Sequence, residues 1–279
     1  MELNQCHDIN VVIVNHKMKD QVDKCLSSLF KDIQNSNLKV HVTVVDNGSG
    51  ERMQDLLKDE YINIRYILHK NNLGFGKAQN TGLRATPAKY HFVLNPDTVV
   101  PDGQNLLKKL YDFMEANPEV GLAGPKILYM DGSRQNSCFR FPRFLQPIYS
   151  RTRLGQIGAG KRTADHYFMR DFDHDETIPV DWVMGAAMFV RQKAIDKVGL
   201  FDERFWMYAE DSDWCRRMWE DGWPVYFVHD AIIQHAHGRG SAKSKGIIKA
   251  LFTNKLARSH IKSWLKYMWK WRSTNKYYV

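Results

Sequence analysis

The sequence predicts an α/β protein built on a largely parallel sheet, and three observations carry the prediction. Short apolar runs rich in β-branched residues alternate with amphipathic helical patterns through the first hundred residues. Each run stops abruptly in polar residues, which collects chemistry-bearing side chains at one edge of the sheet. At 279 residues the chain can form one large domain or two small ones around an ample core.

Ile9 to Val14 and Val40 to Val45 are the first two strands. Between them, from about Gln21 to Phe30, the residues Val22, Leu26, Leu29 and Phe30 share one helical face, which makes a βαβ beginning. The second strand ends in Asp46-Asn-Gly-Ser-Gly50, a turn that leaves a carboxylate at the sheet edge. A third strand, Ile62 to Leu68, leads into Asn71-Asn-Leu-Gly-Phe-Gly-Lys-Ala-Gln-Asn80. Gly74 and Gly76 there lack the third glycine of the dinucleotide fingerprint and follow the wrong strand for it, so NAD is not expected. They suit close approach of backbone to a ligand instead.

A helix through Arg84 precedes Tyr90-His-Phe-Val-Leu-Asn-Pro-Asp97, the stretch around which the rest is organised. Phe92, Val93 and Leu94 suit a sheet centre, and Pro96 cannot donate to a ladder, so pairing should end near Asn95. Asp97 is then presented at the carboxyl-terminal edge, where a carboxylate can hold a hard divalent cation against a phosphate. Asn-Pro-Asp is also simply a good turn.

Further on, a helix is expected from Gly103 to Ala116, a strand from Val120 to Ala123, and a turn at Asp131-Gly132. Residues 133–178 are the least regular part. Gly155-Gln-Ile-Gly-Ala-Gly-Lys161 has phosphate-loop spacing, but Arg162 stands where Ser or Thr must hold magnesium and no apolar strand precedes it. That segment reads as a mobile loop. Asp181 to Arg191 reads as one strand in which Gly185 and Ala186 leave room against the backbone. A helix from Gln192 to Val198 stops at Gly199, and another begins near Glu210 and Asp211, whose carboxylates could merely complement a helix amino terminus. Strands at Trp223–Val228 and Ala231–His237 follow, the second placing His235 and His237 on one side of an extended chain.

Charge is unevenly distributed. The net charge is +9, and after Asp230 there are 11 Lys or Arg and no acid, which leaves 29 of the 40 basic residues against all 31 acids. An anionic partner for the tail is expected, and a membrane surface fits better than nucleic acid because no nucleic-acid recognition motif accompanies the charge. Along the tail, Ile248, Leu251, Phe252, Leu256, Ile261, Trp264, Leu265, Met268 and Trp271 keep helical spacing, with Arg258, Lys262, Lys266 and Lys270 as a basic ladder. Two readings stay open: a helix lying on a membrane, or one packed on the body of the protein with a solvated basic face. The cysteines at 6, 25, 138 and 215 lack metal or redox spacing, and no signal-like or spanning segment is evident. The expectation is a cytoplasmic protein, peripheral on the inner face of the cell membrane, with domain boundaries at 1–240 (halves 1–125 and 126–240) and a basic amphipathic helical tail at 241–279.

Taken together, Val-Val-Asp46-Asn-Gly-Ser, Asn72-Leu-Gly-Phe-Gly-Lys-Ala-Gln-Asn80-Thr-Gly82, Leu94-Asn-Pro-Asp97, Gly185-Ala-Ala and Tyr208-Ala-Glu-Asp-Ser-Asp-Trp214 resemble family 2 glycosyltransferases, with greatest similarity to the bacterial rhamnosyltransferase branch. The likeness runs from about Ile9 to Gly238. It implies the GT-A fold, a central mixed and mostly parallel sheet flanked by helices. It further implies that Asp46 bonds the pyrimidine base of a nucleotide-sugar and that Asn72, Gly74, Gly76 and Asn80 line the nucleoside pocket. Asp97 matches the last acid of the family's Asp-x-Asp motif; Asn95 stands where the first acid would be, a departure that leaves Asp97 as the carboxylate for Mg²⁺ or Mn²⁺. His235 matches the later metal ligand better than His237 does, because the apolar strand leads directly into it. Asp211 is the implied general base, with Glu210 as a supporting or acceptor-binding acid.

The expected reaction is metal-dependent and inverting, moving L-rhamnose from dTDP-L-rhamnose to a polyprenyl-diphosphate-linked saccharide in cell-surface polysaccharide synthesis. A UDP-hexose or UDP-galactofuranose donor is the first alternative. A non-catalytic binding module on the same scaffold is the alternative of another class.

Overall fold

The computed structural model describes residues 7–51, 61, 64–146, 149, 152–236, 254–274 and 276–279. Strand β1 (His7–Asn15) pairs in parallel with β2 (Val40–Asn47) on one side and β4 (Ala88–Leu94) on the other, and β3 (Ile64–His69) extends the parallel half beyond β2. β10 (Ala187–Arg191) then inserts antiparallel between β4 and β6 (Leu122–Leu128). β11 (Val225–His235) runs parallel to β6, and the two-residue β5 (Thr98–Val99) closes on the end of β11. The order is β3-β2-β1-β4-β10-β6-β11-β5, with β8 (Ile178–Pro179) paired to β11.

Both faces of this sheet are covered, which explains why its strands read as continuous apolar runs rather than alternating ones. Successive residues of β1 serve opposite layers. Ile9, Val11 and Ile13 pack with helices α1 (Lys19–Ser36) and α3 (Leu106–Ala116) through Leu26, Leu29, Leu107 and Leu110. Val12 and Val14 face the layer of α2 (Phe75–Ala85), with Ala78 and Leu83. Each fully buried side chain of this size contributes about 1.5–3 kcal/mol. In α2, Gly82 is required by packing, because a Cβ there would lie 2.2 Å from Val12 Cγ1.

Three expectations are corrected. The segment 181–191 is not one strand: β9 (Trp182–Val183) pairs with β7 (Cys138–Phe139) in a separate two-stranded sheet, and Met184-Gly185-Ala186 carries the chain across to β10. The two expected strands at 223–237 are one, β11, whose register against β6 shifts between Val228 and Ile232. His237 lies outside the described residues. The phosphate-loop spacing at 155–161 is neither a phosphate loop nor an irregular loop. It is a 3-10 turn (Arg153–Gln156) followed by α4 (Gly158–Tyr167). Gly160 serves helix packing, since a Cβ there would meet the Leu154 carbonyl, whereas Gly158 opens the helix at a φ of 50° with open space around it, and Lys161 pairs with Asp165 one turn on.

Helix α5 (Gln192–Val198) ends at Gly199 as expected, with φ of 83° there. Helix α6 (Glu210–Glu220) joins the second core layer through Trp214, Cys215 and Met218. After residues 237–253, which lie outside the described set, α7 (Lys255–Lys270) starts at Asn254, whose side chain accepts from the Leu256 and Ala257 backbone N–H groups. This helix docks on the rest of the fold with Ala257, Ser263 and Tyr267 inward. The chain end follows it in. Tyr278 stacks on Trp219 at 5.2 Å and its N–H donates to Asp181. No helix among the described residues is long and apolar enough to cross a membrane.

Candidate active site

The site is built where β1, β2, β4 and β11 end and β10 begins. On the β2 side, Asp46 is completely buried, and its oxygens accept from Ser49 N–H and Oγ–H, both at 2.8 Å, and from the Tyr66 hydroxyl at 3.0 Å. Its carboxylate therefore sets the shape of the 46–50 turn. Its neighbour Asn47, which the motif reading passed over, grips the next loop: it accepts from Leu73 N–H at 2.8 Å and donates to the Asn72 side chain and the Gly74 carbonyl. Asn72 also accepts from Gly74 N–H at 2.9 Å.

Gly74 has φ of 91°, and a Cβ there would fall 2.3 Å from the Trp206 carbonyl, which accepts from Phe75 N–H at 2.8 Å. Gly76 similarly lets α2 approach Phe201. Asn80 is buried and uses both ends of its amide on the backbone of Phe201, 121 residues away. The glycine-rich loop thus joins the 201–206 segment to the sheet edge, and Asn80 acts on that segment.

On the β4 side, the strand leaves the sheet as expected at Asn95. Asn95 N–H donates to the Ala186 carbonyl, and its own carbonyl accepts from the Thr98 hydroxyl at 2.7 Å. Pairing of Thr98 with His235, and of Ala236 N–H with the Asp97 carbonyl, then fixes Asp97 against the end of β11. Asp97 Oδ1 lies 3.2 Å from His235 Nε2. Gln135 Oε1 lies 2.8 Å from His235 Nδ1. An amide oxygen only accepts, so Nδ1 carries its proton and Nε2 is the nitrogen turned to Asp97. Gln135 was invisible in the sequence, being 100 residues from its partner with no pattern to link them.

The carboxylate pair opens α6. Tyr208 and Ala209 both have left-handed backbones, at φ of 70° and 67°, uncommon for residues with a Cβ. They swing the first turn of α6 toward Gly185. Asp211 Oδ2 accepts from Gly185 N–H at 3.0 Å and Oδ1 from Ser212 N–H at 2.8 Å. A Cβ on Gly185 would stand 3.2 Å from that of Asp211, which is why a glycine sits there. Burial, and then the neighbouring Asp211 charge, push the Glu210 carboxyl well above its usual range, and its Oε2 is buried without a partner among the described residues. Burial also raises Asp211, against the pull of its two backbone donors. Ala186 accepts from Asn95 while Gly185 donates to Asp211, so the Asp97–His235 pair and Asp211 are linked through two adjacent residues.

Helix α7 braces this arrangement from behind. Asp213, in the same first turn as Asp211, is fully buried and receives Arg217 at 3.0 Å, Lys270 at 2.7 Å and the Trp271 indole at 2.9 Å. Lys270 also reaches Asp202, and Ser263 donates to the Met207 carbonyl at 2.8 Å. The basic ladder is therefore divided: Lys270 is internal and Lys266 donates to the Arg204 carbonyl, while Arg258 and Lys262 face outward. Removing one partner of a buried ion pair costs about 3 kcal/mol. Lys270→Met is expected to lower stability by about that amount in urea unfolding; an unchanged midpoint would show that this contact does not dock α7.

The family model described as Glycosyl transferase family 2 matches residues 10–197. The N-acetylglucosaminyl-diphospho-decaprenol L-rhamnosyltransferase of Mycobacterium tuberculosis is 30% identical over 243 residues, covering 82% of this chain and 77% of that protein. The rhamnosyltransferase WbbL of Escherichia coli K12 is 24% identical, covering 93% of this chain and 92% of its own. Among solved structures, the mannosyltransferase PcManGT of Pyrobaculum calidifontis, in complex with GDP-Man and Mn²⁺, aligns with a TM-score of 0.57 at 13% identity over 98% of this chain and 77% of that one. The chain belongs to glycosyl transferase family 2, as a rhamnosyltransferase-like glycosyltransferase with the GT-A fold.

Proposed function

We propose that the chain catalyses an inverting transfer of L-rhamnose from dTDP-L-rhamnose to a saccharide carried on polyprenyl diphosphate, in cell-surface polysaccharide synthesis at the inner face of the cell membrane. The observation that carries this reading is the linkage of the Asp97–His235 pair to Asp211 through Gly185-Ala186 at one sheet edge. The leaving diphosphate and the attacking hydroxyl would then be served from one edge of the sheet. The rhamnosyl donor and lipid-linked acceptor are supported by the names of the relatives.

The donor set fits a hard divalent cation, Mg²⁺ or Mn²⁺. Asp97 and His235 present an oxygen and a nitrogen 3.2 Å apart, close to the roughly 3.0 Å between neighbouring ligands of an octahedral ion with bonds of about 2.1 Å. Gln135 holds the far ring nitrogen, as partners of metal-binding histidines do. No cluster of three or more His, Cys, Asp or Glu ligands occurs among the described residues, so two protein ligands would leave positions for phosphate oxygens and water. When bound, the ion neutralises charge developing on the departing diphosphate.

The chain's own residues do the rest. Asp211 takes the proton of the acceptor hydroxyl. That oxygen bonds to the anomeric carbon as the bond to the diphosphate oxygen breaks on the opposite face, so configuration inverts. Burial and the Asp211 charge push Glu210 up further than burial pushes Asp211, which favours Asp211 as the proton acceptor of the pair. The Asp46 turn, Asn72, Gly74 and Gly76 shape the nucleoside site, and Asn95 lies beside the diphosphate.

A calorimetric panel of dTDP-rhamnose, UDP-glucose, UDP-N-acetylglucosamine and UDP-galactofuranose, with Mn²⁺ and with chelator, tests the proposal. Metal-dependent binding of dTDP-rhamnose is expected. Preference for a UDP-sugar would replace the donor, and binding of none would leave an inert scaffold.

A further inference from the structure

Two of the long acid-free stretches of this chain are the richest in cations. Residues 231–279 hold 11 Lys or Arg, and residues 132–164 hold seven. Far apart in sequence, they meet in space, where the rings of Phe144 and Trp264 lie 5.0 Å apart. The most exposed large apolar side chains of the described residues concentrate in the same two stretches: Phe144, Leu145, Leu154 and Ile157 in one, Leu265 and Trp269 in the other, with Ile157 and Trp269 at 66% and 70% exposure. The first stretch is internally joined. Tyr149 N–H donates to the Leu145 carbonyl, and Gly155 packs so closely on the Tyr149 carbonyl that no Cβ would fit.

On α7 the inward residues Ala257, Ser263 and Tyr267 leave Arg258, Lys262, Leu265 and Trp269 along the opposite side. Arg272 lies 4.4 Å from the Trp269 ring. Exposed aromatic and aliphatic side chains interleaved with cations, and no acid, match an anionic lipid interface, in which apolar groups enter the acyl boundary and cations meet headgroups. Phosphate recognition alone would not call for exposed Phe, Leu and Ile.

We propose that Phe144, Leu145, Leu154 and Ile157 together with the outer stripe of α7 form a single surface that seats the enzyme on an anionic bilayer. This deepens the lipid-linked acceptor reading above. It gives the irregular segment a role, and it makes α7 two-sided, braced on Asp213 inside and lipid-facing outside. The acceptor diphosphate would then enter from the surface on which the enzyme rests.

The test is flotation of the full chain with vesicles of phosphatidylcholine alone and mixed with phosphatidylglycerol. The variants are Phe144→Ser/Leu145→Ser, Leu265→Ser/Trp269→Ser, and the remote Leu68→Ser, whose side chain is 61% exposed. Expected are binding only to the mixed vesicles, a loss of about tenfold or more for each of the first two variants, and no change for Leu68→Ser. Thermal unfolding should be alike in all, which separates lost contact from lost fold. Unchanged binding of the Phe144/Leu145 variant would overturn the joint surface. Equal binding to both vesicle types, or binding of duplex DNA in preference to either, would overturn the anionic bilayer. Vesicle binding is read without any nucleotide-sugar, so this surface and the donor assignment stand or fall separately.

Discussion

Asp211→Asn is expected to reduce the transfer rate by about 10²- to 10⁴-fold, the range of a general base, while leaving donor affinity unchanged. The amide retains an oxygen to accept from Gly185 or Ser212 N–H, so the first turn of α6 keeps its place, but the proton acceptor is gone. Steady-state transfer and donor calorimetry on one preparation check this, and near-normal turnover would remove Asp211 from the base role. The pH dependence has a definite sign. Burial raises the Asp211 carboxyl, so activity of the native enzyme should fall with decreasing pH at values above the ordinary carboxylate range.

Stability runs the other way. A carboxyl raised in the folded state contributes stability below its unfolded pKa that is lost as pH rises through the folded value. Glu210, raised further by burial and by Asp211, therefore costs stability at neutral pH. This pair sits at a strained helix start, with Tyr208 and Ala209 left-handed, and strain of this kind concentrates at functional sites.

His235→Ala is expected to abolish the metal dependence of donor binding and to weaken that binding by about a hundredfold, since the cation's contribution is several kcal/mol. Gln135→Leu should give an intermediate result. It leaves both ligands in place but frees the imidazole to turn, a change that costs about 10- to 100-fold in metal affinity elsewhere. Mn²⁺ titrations with donor present would resolve the three proteins. A His235→Ala enzyme with undiminished Mn²⁺ response would place the ion on other ligands.

The parallel half of the fold was readable because β1, β2 and β4 are buried on both faces and each βαβ step leaves the same signature, as Val12 and Ile13 show by facing different layers. The antiparallel insertion of β10 was not readable. The four apolar residues that lead to its Arg191 carry no mark of direction, and the break at Met184-Gly185-Ala186 receives Asn95 and Asp211 from elsewhere. Helix α4 was hidden by glycines that suggested a loop, of which Gly160 serves close packing on Leu154.

Within the site, Asp97, His235, Glu210 and Asp211 announced themselves by their place at the ends of elements. The partners that orient them did not. Ser49 and Tyr66 on Asp46, Gln135 on His235 and Lys270 on Asp213 are tertiary pairings without sequence periodicity. The tail illustrates the same limit: its helical spacing and charge were plain, but only the buried Asp213 decides which lysine of the ladder turns inward.

The measurement that bears most directly on the account is the anomeric configuration of the product formed from a nucleotide-sugar of known configuration, read from the one-bond carbon–hydrogen coupling at the anomeric centre. A single base at Asp211, acting opposite the diphosphate held near Asp97 and His235, predicts complete inversion. Retention would contradict it, because the sugar would then have to pass through a second displacement that this arrangement does not provide.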